Sequence, residues 1–280
     1  MSSKQQHIQT IKEVCIMLGK RNALYVAVGL LMFLFALPVQ SAELTGQDIM
    51  VKVDERLESD DERAIMKMTL INKRGKTRER SVLTYSKKYG KDSKSLLYFL
   101  SPGDVKGTGF LAWDYDDPQK DDDQWLYLPA LKKSRRITGS SKNDYFMGTD
   151  FTYDDMGDRN VDEDTHTLLR EEEVEGHACW VVESKPKNED YMYSKRVSWI
   201  RQDALVALKV DFYDRRGSLL KTLNVSDIRE QDGIWTAFKM EMSNIQENHR
   251  TVIEMEEVQY NIGLEDSLFR VSTLERGRIR

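Results

Sequence analysis

Between residues 204 and 262 the chain repeats one device four times: about ten residues of alternating apolar and polar side chains, then a short turn. The segments are ALVALKVDFYD, LLKTLNVSDI, IWTAFKMEMSN and TVIEMEEVQYNI, with RRGS and Asp232–Gly233 among the turns. Strand side chains point alternately to opposite faces. Ala204, Val206, Leu208, Val210 and Phe212 therefore share one face, and Phe238, Met240 and Met242 share one face opposite Lys239 and Glu241. Parallel neighbours would need crossovers of a dozen or more residues, so connections this short leave an antiparallel meander.

The same period runs through the first half. RAIMKMTLI places Ala64, Met66, Met68 and Leu70 together, NKRG turns the chain, and RSVLTYSKK returns. KSLLYFLSP (94–102) and GTGFLAWDY (107–115) follow, then an acidic tip, DDPQKDDD (116–123). THTLLREEE (165–173) and HACWVVESK (177–185) are joined through Gly176. One helix is expected over 47–57, where Ile49, Met50, Val53 and Leu57 fall at helical spacing. The stretch 139–165 is polar and irregular. These patterns predict a mainly β protein, one large and strongly curved antiparallel sheet with few helices, in a single domain over 43–280.

Residues 1–42 carry a different message. ALYVAVGLLMFLFAL (23–37) is an apolar run behind Lys20 and Arg21 and before PVQSAE. A basic start, an apolar centre too short for a span of about 20 residues, and small residues at its exit describe a secretory signal peptide. Cleavage is expected near Ala42, with Met17 as an alternative start and a retained N-terminal anchor as the rival. The four basic residues and one acidic residue of 1–42 take the net charge from −5 for the whole chain to −8 for the rest. An acidic exported product speaks against general nucleic-acid binding. Beyond the leader Cys179 is the single cysteine, so no internal disulfide can form and burial must supply the stability.

No catalytic constellation emerges. There is no G-x-S-x-G, and Cys179 sits in an alternating apolar strand, where cysteine serves as small core filler. DRNVDED begins like a calcium loop, but Glu163 stands where the turn needs glycine and Leu169 where it needs a bidentate Glu. No cofactor or metal is expected, and the chain is not expected to be an enzyme. The apolar strand faces are more informative. Met66, Met68, Leu70, Phe99, Phe110, Val206, Leu208, Val210, Phe212, Phe238, Met240 and Met242 are large, and the methionines are deformable, which suits a cavity for acyl chains as well as a packed core.

DQWLYLPALKKSRRI (123–137) places Trp125 and Tyr127 on one strand face and Leu126 and Leu128 on the other, so both faces are apolar. Trp125 and Tyr127 join the cavity candidates. The strand is read as running straight into Lys132, Lys133, Arg135 and Arg136, a cluster that is either a solvated strand end or a contact for anionic headgroups or an acidic partner.

GTGFLAWDY, QWLYLPALKKSRRI, DYFMGTDFTYDDM and YNIGLEDSLFRVSTLE, behind a signal peptide, resemble the LolA-like outer-membrane lipoprotein-sorting proteins, in a periplasmic branch associated with RND-type export systems. The likeness covers 44–274. It implies an incomplete, strongly curved antiparallel β-barrel with a few covering helices. It also implies a periplasmic, non-enzymatic, monomeric carrier of lipoprotein acyl chains or other lipid, with an inner-membrane transporter or outer-membrane receptor as partner. Related half-barrels also serve as regulators that bind a membrane protein, so an interaction module is the alternative.

Overall fold

The computed structural model describes residues 43–277; the signal-peptide reading of 1–42 lies outside them. A helix, α1 (Gly46–Asp54), precedes six strands: β1 (Asp61–Ile71), β2 (Thr77–Tyr89), β3 (Asp92–Ser101), β4 (Gly109–Asp114), β5 (Asp123–Leu128) and β6 (Lys133–Ile137). After a strandless segment come β7 (Asp164–Val174), β8 (His177–Pro186), β9 (Tyr193–Arg201), β10 (Ala207–Asp214), β11 (Leu219–Gln231), β12 (Ile234–Asn244) and β13 (His249–Tyr260), then α2 (Val271–Arg276). The strands form one antiparallel sheet in the order β6-β5-β4-β3-β2-β1-β13-β12-β11-β10-β9-β8-β7. It does not close: β6 and β7 are its two edges.

That order gives residues 138–163 their task. The first strand pairs with the last at the centre of the sheet, so the consecutive β6 and β7 end at opposite edges. At about 4.8 Å between strands, twelve gaps would set those edges nearly 60 Å apart if the sheet were flat. Instead it curls, and residues from β4 and β10 enter one apolar cluster together with Phe146, Phe151 and Tyr153 of the connecting segment. The polar, irregular stretch is thus the filling of the concave face.

Three layers of cover follow from the residues. The segment 138–163 fills the concave centre. α2 and the turn before it lie on the opposite face of β2–β5, where Phe269 and Leu274 pack with Leu83, Leu96, Tyr98 and Leu111. There the Trp113 indole N–H donates to the Phe269 carbonyl at 3.0 Å. α1 packs Ile49 on Val182 and Ile200. It starts at a capping box between Thr45 and Asp48, which satisfies the first free amides. Gly46 lies so close to β7 that a Cβ would stand 2.7 Å from backbone atoms of His166, Thr167 and Leu168. The helix stops at Asp54 rather than near 57, and Leu57 is 69% exposed.

Three further departures share a cause, the local breaking of alternation. The stretch 123–137 is two antiparallel strands, because a single 3-10 turn at Pro129–Leu131 and a left-handed Lys132 (φ 50°) reverse the chain. β9, absent from the alternation pattern, carries register irregularities and the polar Ser194, Lys195, Arg196 and Ser198. β10 starts at Ala207 after a left-handed Leu205, and Leu208 is the extra residue of a bulge between Ala207 and Lys209.

Candidate functional site

The concave centre is aromatic. Phe146 is fully buried between Phe99 (ring centroids 5.9 Å), Phe110 (5.2 Å) and Tyr153 (5.5 Å, edge-on). Around this group lie Met66, Met68 and Leu70 of β1, Val210 and Phe212 of β10, and Met240 and Met242 of β12. Alternation brings them to one face, and curvature brings the distant strands together.

Hydrogen bonds and ion pairs, with little ladder pairing, hold the filling segment in place. Tyr145 accepts from Asn244 Nδ2 at 2.7 Å, and the Met147 carbonyl accepts from Arg80 Nη1 at 2.8 Å. Thr251 Oγ1 donates to the Asp150 carboxylate at 2.7 Å and accepts from the Asp150 N–H at 3.0 Å, while His249 Nδ1 lies 2.8 Å from the same carboxylate. Asp155 is bound from two sides: Thr152 donates from its own segment, and Tyr193 Oη (2.9 Å) and Lys221 Nζ donate from the sheet. Lys221 is wholly buried, with the rings of Tyr193 and Phe212 5.1 and 5.2 Å from its ammonium. Burial pulls its pKa below the usual lysine range, and the Asp155 carboxylate opposes that pull. Burial first, then the neighbouring Asp155, pushes the Tyr193 phenol well above its ordinary value.

At one mouth of the concave face, two adjoining clefts of 390 and 380 Å³ share Arg56, Glu58, Lys88, Ser93, Asp114 and Asp158. The second reaches Met156, Met240 and Met255, so its inner end is continuous with the apolar face. Asp114, 5% exposed, accepts from the Asp158 N–H at 3.3 Å. Burial, with the Asp158 and Asp122 carboxylates nearby, pushes its carboxyl up to about 8. Its folded pKa thus lies above the ordinary value of 3.8. Between those limits the native state holds a proton that the unfolded chain has released, and stability falls as pH rises. Asp114→Asn keeps the neutral form and removes the loss. Its urea midpoint is expected to fall less between about pH 5 and pH 8 than that of the unaltered protein. An unchanged pH slope would move the effect to other carboxyls.

Among the cavity candidates, Met66, Met68, Leu70, Phe99, Phe110, Val210, Phe212, Met240 and Met242 meet in one cluster. Trp125 and Tyr127 do not. They belong to the opposite face, beneath α2, with Trp125 edge-on to Trp113 at 4.9 Å. β5 is apolar on both sides because each side has its own cover. Val206 stands in the turn before β10, Leu208 occupies the bulge, and Phe238 lies beneath the Arg229 guanidinium at 4.5 Å. The basic cluster lies on β6 and the turn before it. Arg136 pairs with Asp123 and Arg135 reaches the Tyr153 phenol, whereas Lys132 and Lys133 have no side-chain partner among the described residues. Sequence reasoning missed Phe146, Phe151, Tyr153, Asp150, Asp155 and Lys221. For the first five the signal was the motif DYFMGTDFTYDDM, whose role needed the topology, whereas Lys221 stands outside it, in LLKTLNVSDI.

Comparison with known proteins follows the same architecture. A family model described as that of an uncharacterized protein matches residues 91–276. A DUF1329 family protein from Desulfovibrio piger is 40% identical, with a TM-score of 0.79 over 82% of this chain and 97% of that one. A domain from Vibrio parahaemolyticus, proposed to belong to an outer-membrane lipoprotein-sorting protein, is 34% identical, with a TM-score of 0.78 over 82% and 98%. A LolA superfamily protein from Nitrosomonas europaea shares the fold at 19% identity, with a TM-score of 0.64 over 82% and 99%. No curated protein matches the sequence.

Proposed function

Because the chain belongs to the DUF1329 family of LolA-like proteins, we propose that it is a non-enzymatic periplasmic carrier. Its concave face would hold the acyl chains of a lipoprotein or another lipid and move them between inner- and outer-membrane partners, an RND-type transporter among the former. The observation that carries this reading is the continuity from cleft to core: Met156, Met240 and Met255 at the mouth lead to the methionine and phenylalanine side chains around Phe146. Flexible thioethers tolerate apolar guests of varied shape. An acyl chain entering there would take the place of the Phe146, Phe151 and Tyr153 side chains. Their segment is attached to the sheet through side-chain bonds, its one isolated bridge, Tyr145 with Thr152, lies within the segment, and it can leave without breaking a strand ladder.

A second reading draws on the filling itself. With Phe99 and Phe146 at 0% exposure and Phe110 at 1%, the concave centre is a packed core. That favours an interaction module that never opens. Native mass spectrometry of protein exported to a periplasm and purified without detergent separates the two. Stoichiometric lipid adducts, identified after organic extraction, are the result expected of a carrier. A mass that stays clean after incubation with phospholipid and with a triacylated lipopeptide would leave the interaction module.

A further inference from the structure

The two open edges of the sheet carry opposite charge. β6 reads KSRRI behind the exposed Lys132, and β7 reads REEEV over 170–174 before Glu175. Each edge pairs on one side only, leaving backbone N–H and C=O groups along the other. Lys133, Arg135, Arg136, Glu171 and Glu173 are all exposed. Lys132, Lys133, Glu173 and Glu175 have no ion pair among the described residues. Beside each edge stands an exposed leucine, Leu131 at 64% and Leu169 at 44%. α1 crosses β7 at 166–168 and leaves its later half uncovered, a stretch matching β6 in length.

We propose that copies of this chain associate head to tail, β6 of one against the second half of β7 of the next, to continue the sheet from molecule to molecule. The charges select this contact against its rivals. A two-fold dimer through β6 would oppose cations, and one through β7 would oppose carboxylates, and like charges directly across a strand pair are destabilising. The remaining contact uses two different surfaces, so a single such contact leaves one edge of each kind free for the next copy, and we take it to continue into open chains rather than close into a ring. The net charge works against it at long range. Dilute salt screens that repulsion over tens of ångströms while leaving adjacent charges coupled. An edge-blunting role for the same charges would hold every copy apart, and this is the alternative to be tested.

Sedimentation equilibrium decides between them. The average mass of the purified protein is expected to rise with concentration past that of a dimer. Lys132→Glu with Lys133→Glu, and separately Glu171→Lys with Glu173→Lys, should each weaken association about tenfold, as two exposed pairs turn from attraction to repulsion. The protein carrying all four changes should recover it, since attraction is restored with the signs exchanged. Circular dichroism confirms the fold of each variant. A monomer mass at every concentration, a plateau at a dimer, or association indifferent to the reversals would each overturn the proposal. So would a quadruple variant that stays as weak as its parents. Should the unaltered protein remain monomeric yet bind anionic phosphatidylglycerol vesicles through Lys132 and Lys133, the basic edge is a membrane contact and head-to-tail pairing is excluded.

Discussion

Replacing Asp155 with Ala is expected to lower the unfolding free energy by about 3–5 kcal/mol, the cost of leaving a buried charge without its partner. The charge is the Lys221 ammonium, at 0% exposure between the Tyr193 and Phe212 rings, with the Asp150 carbonyl at 3.1 Å as its other oxygen contact. The pair also joins the filling segment to β11, so its loss frees the segment as well as destabilising the fold. Two measurements distinguish these effects. Urea unfolding should show the full loss for Asp155→Ala and most of it recovered when Lys221→Met is added, because an apolar pair of similar volume replaces a buried ion pair at little cost. Amide exchange in 144–156 should quicken in the single variant even under conditions where the sheet stays protected. A single variant as stable as the unaltered protein would mean that Lys221 finds water or another acceptor, and that the segment is held elsewhere.

Phe146→Ala is the second large effect. The ring has zero exposure and three aromatic neighbours, and deleting such a side chain costs about 3–5 kcal/mol through lost burial and the cavity left behind. Phe99→Ala, on the sheet itself, should cost a similar amount. Their functional consequences differ. On the carrier reading Phe146 occupies the place of the ligand and Phe99 lines it, so Phe146→Ala should increase retained lipid per protein while Phe99→Ala decreases it. Extraction and quantification of lipid from both variants, against the unaltered protein, gives the comparison. Equal lipid content in the two would remove the concave centre from any binding role.

The sheet could be read in the sequence because alternation is a local property, set by one residue and its neighbour but one. That is why nine of the fourteen cavity candidates meet in one cluster. The misreadings arose where a single residue shifts the phase. The bulge at Leu208 and the turn holding Val206 separate both from Val210 and Phe212, and a left-handed Lys132 makes two strands of one apparent run. Trp125 and Tyr127 lie beneath α2 rather than in the concave cluster because both faces of β5 are apolar, and alternation says nothing about which cover lies above which. The filling segment was illegible for a different reason. Phe146, Phe151 and Tyr153 stand among Gly, Asp, Thr and Asn without a period, and only the strand order, with consecutive β6 and β7 at opposite edges, carries that stretch across the concave face.

The pairing of β1 with β13 also governs how the molecule comes to be folded. Met66 lies across from Met255, so the central contact of the sheet joins residues about 190 positions apart, whereas most other strands meet their neighbours through a short turn. Each half can zip up locally as it emerges, β1 to β6 first and β7 to β13 afterwards. Until β13 arrives, β1 presents a bare edge with Met66, Met68 and Leu70 uncovered, the kind of edge that captures stray strands. Joining the halves is then the slow step, and a chaperone that shields the β1 edge during that interval would raise the yield of native protein without altering its final stability.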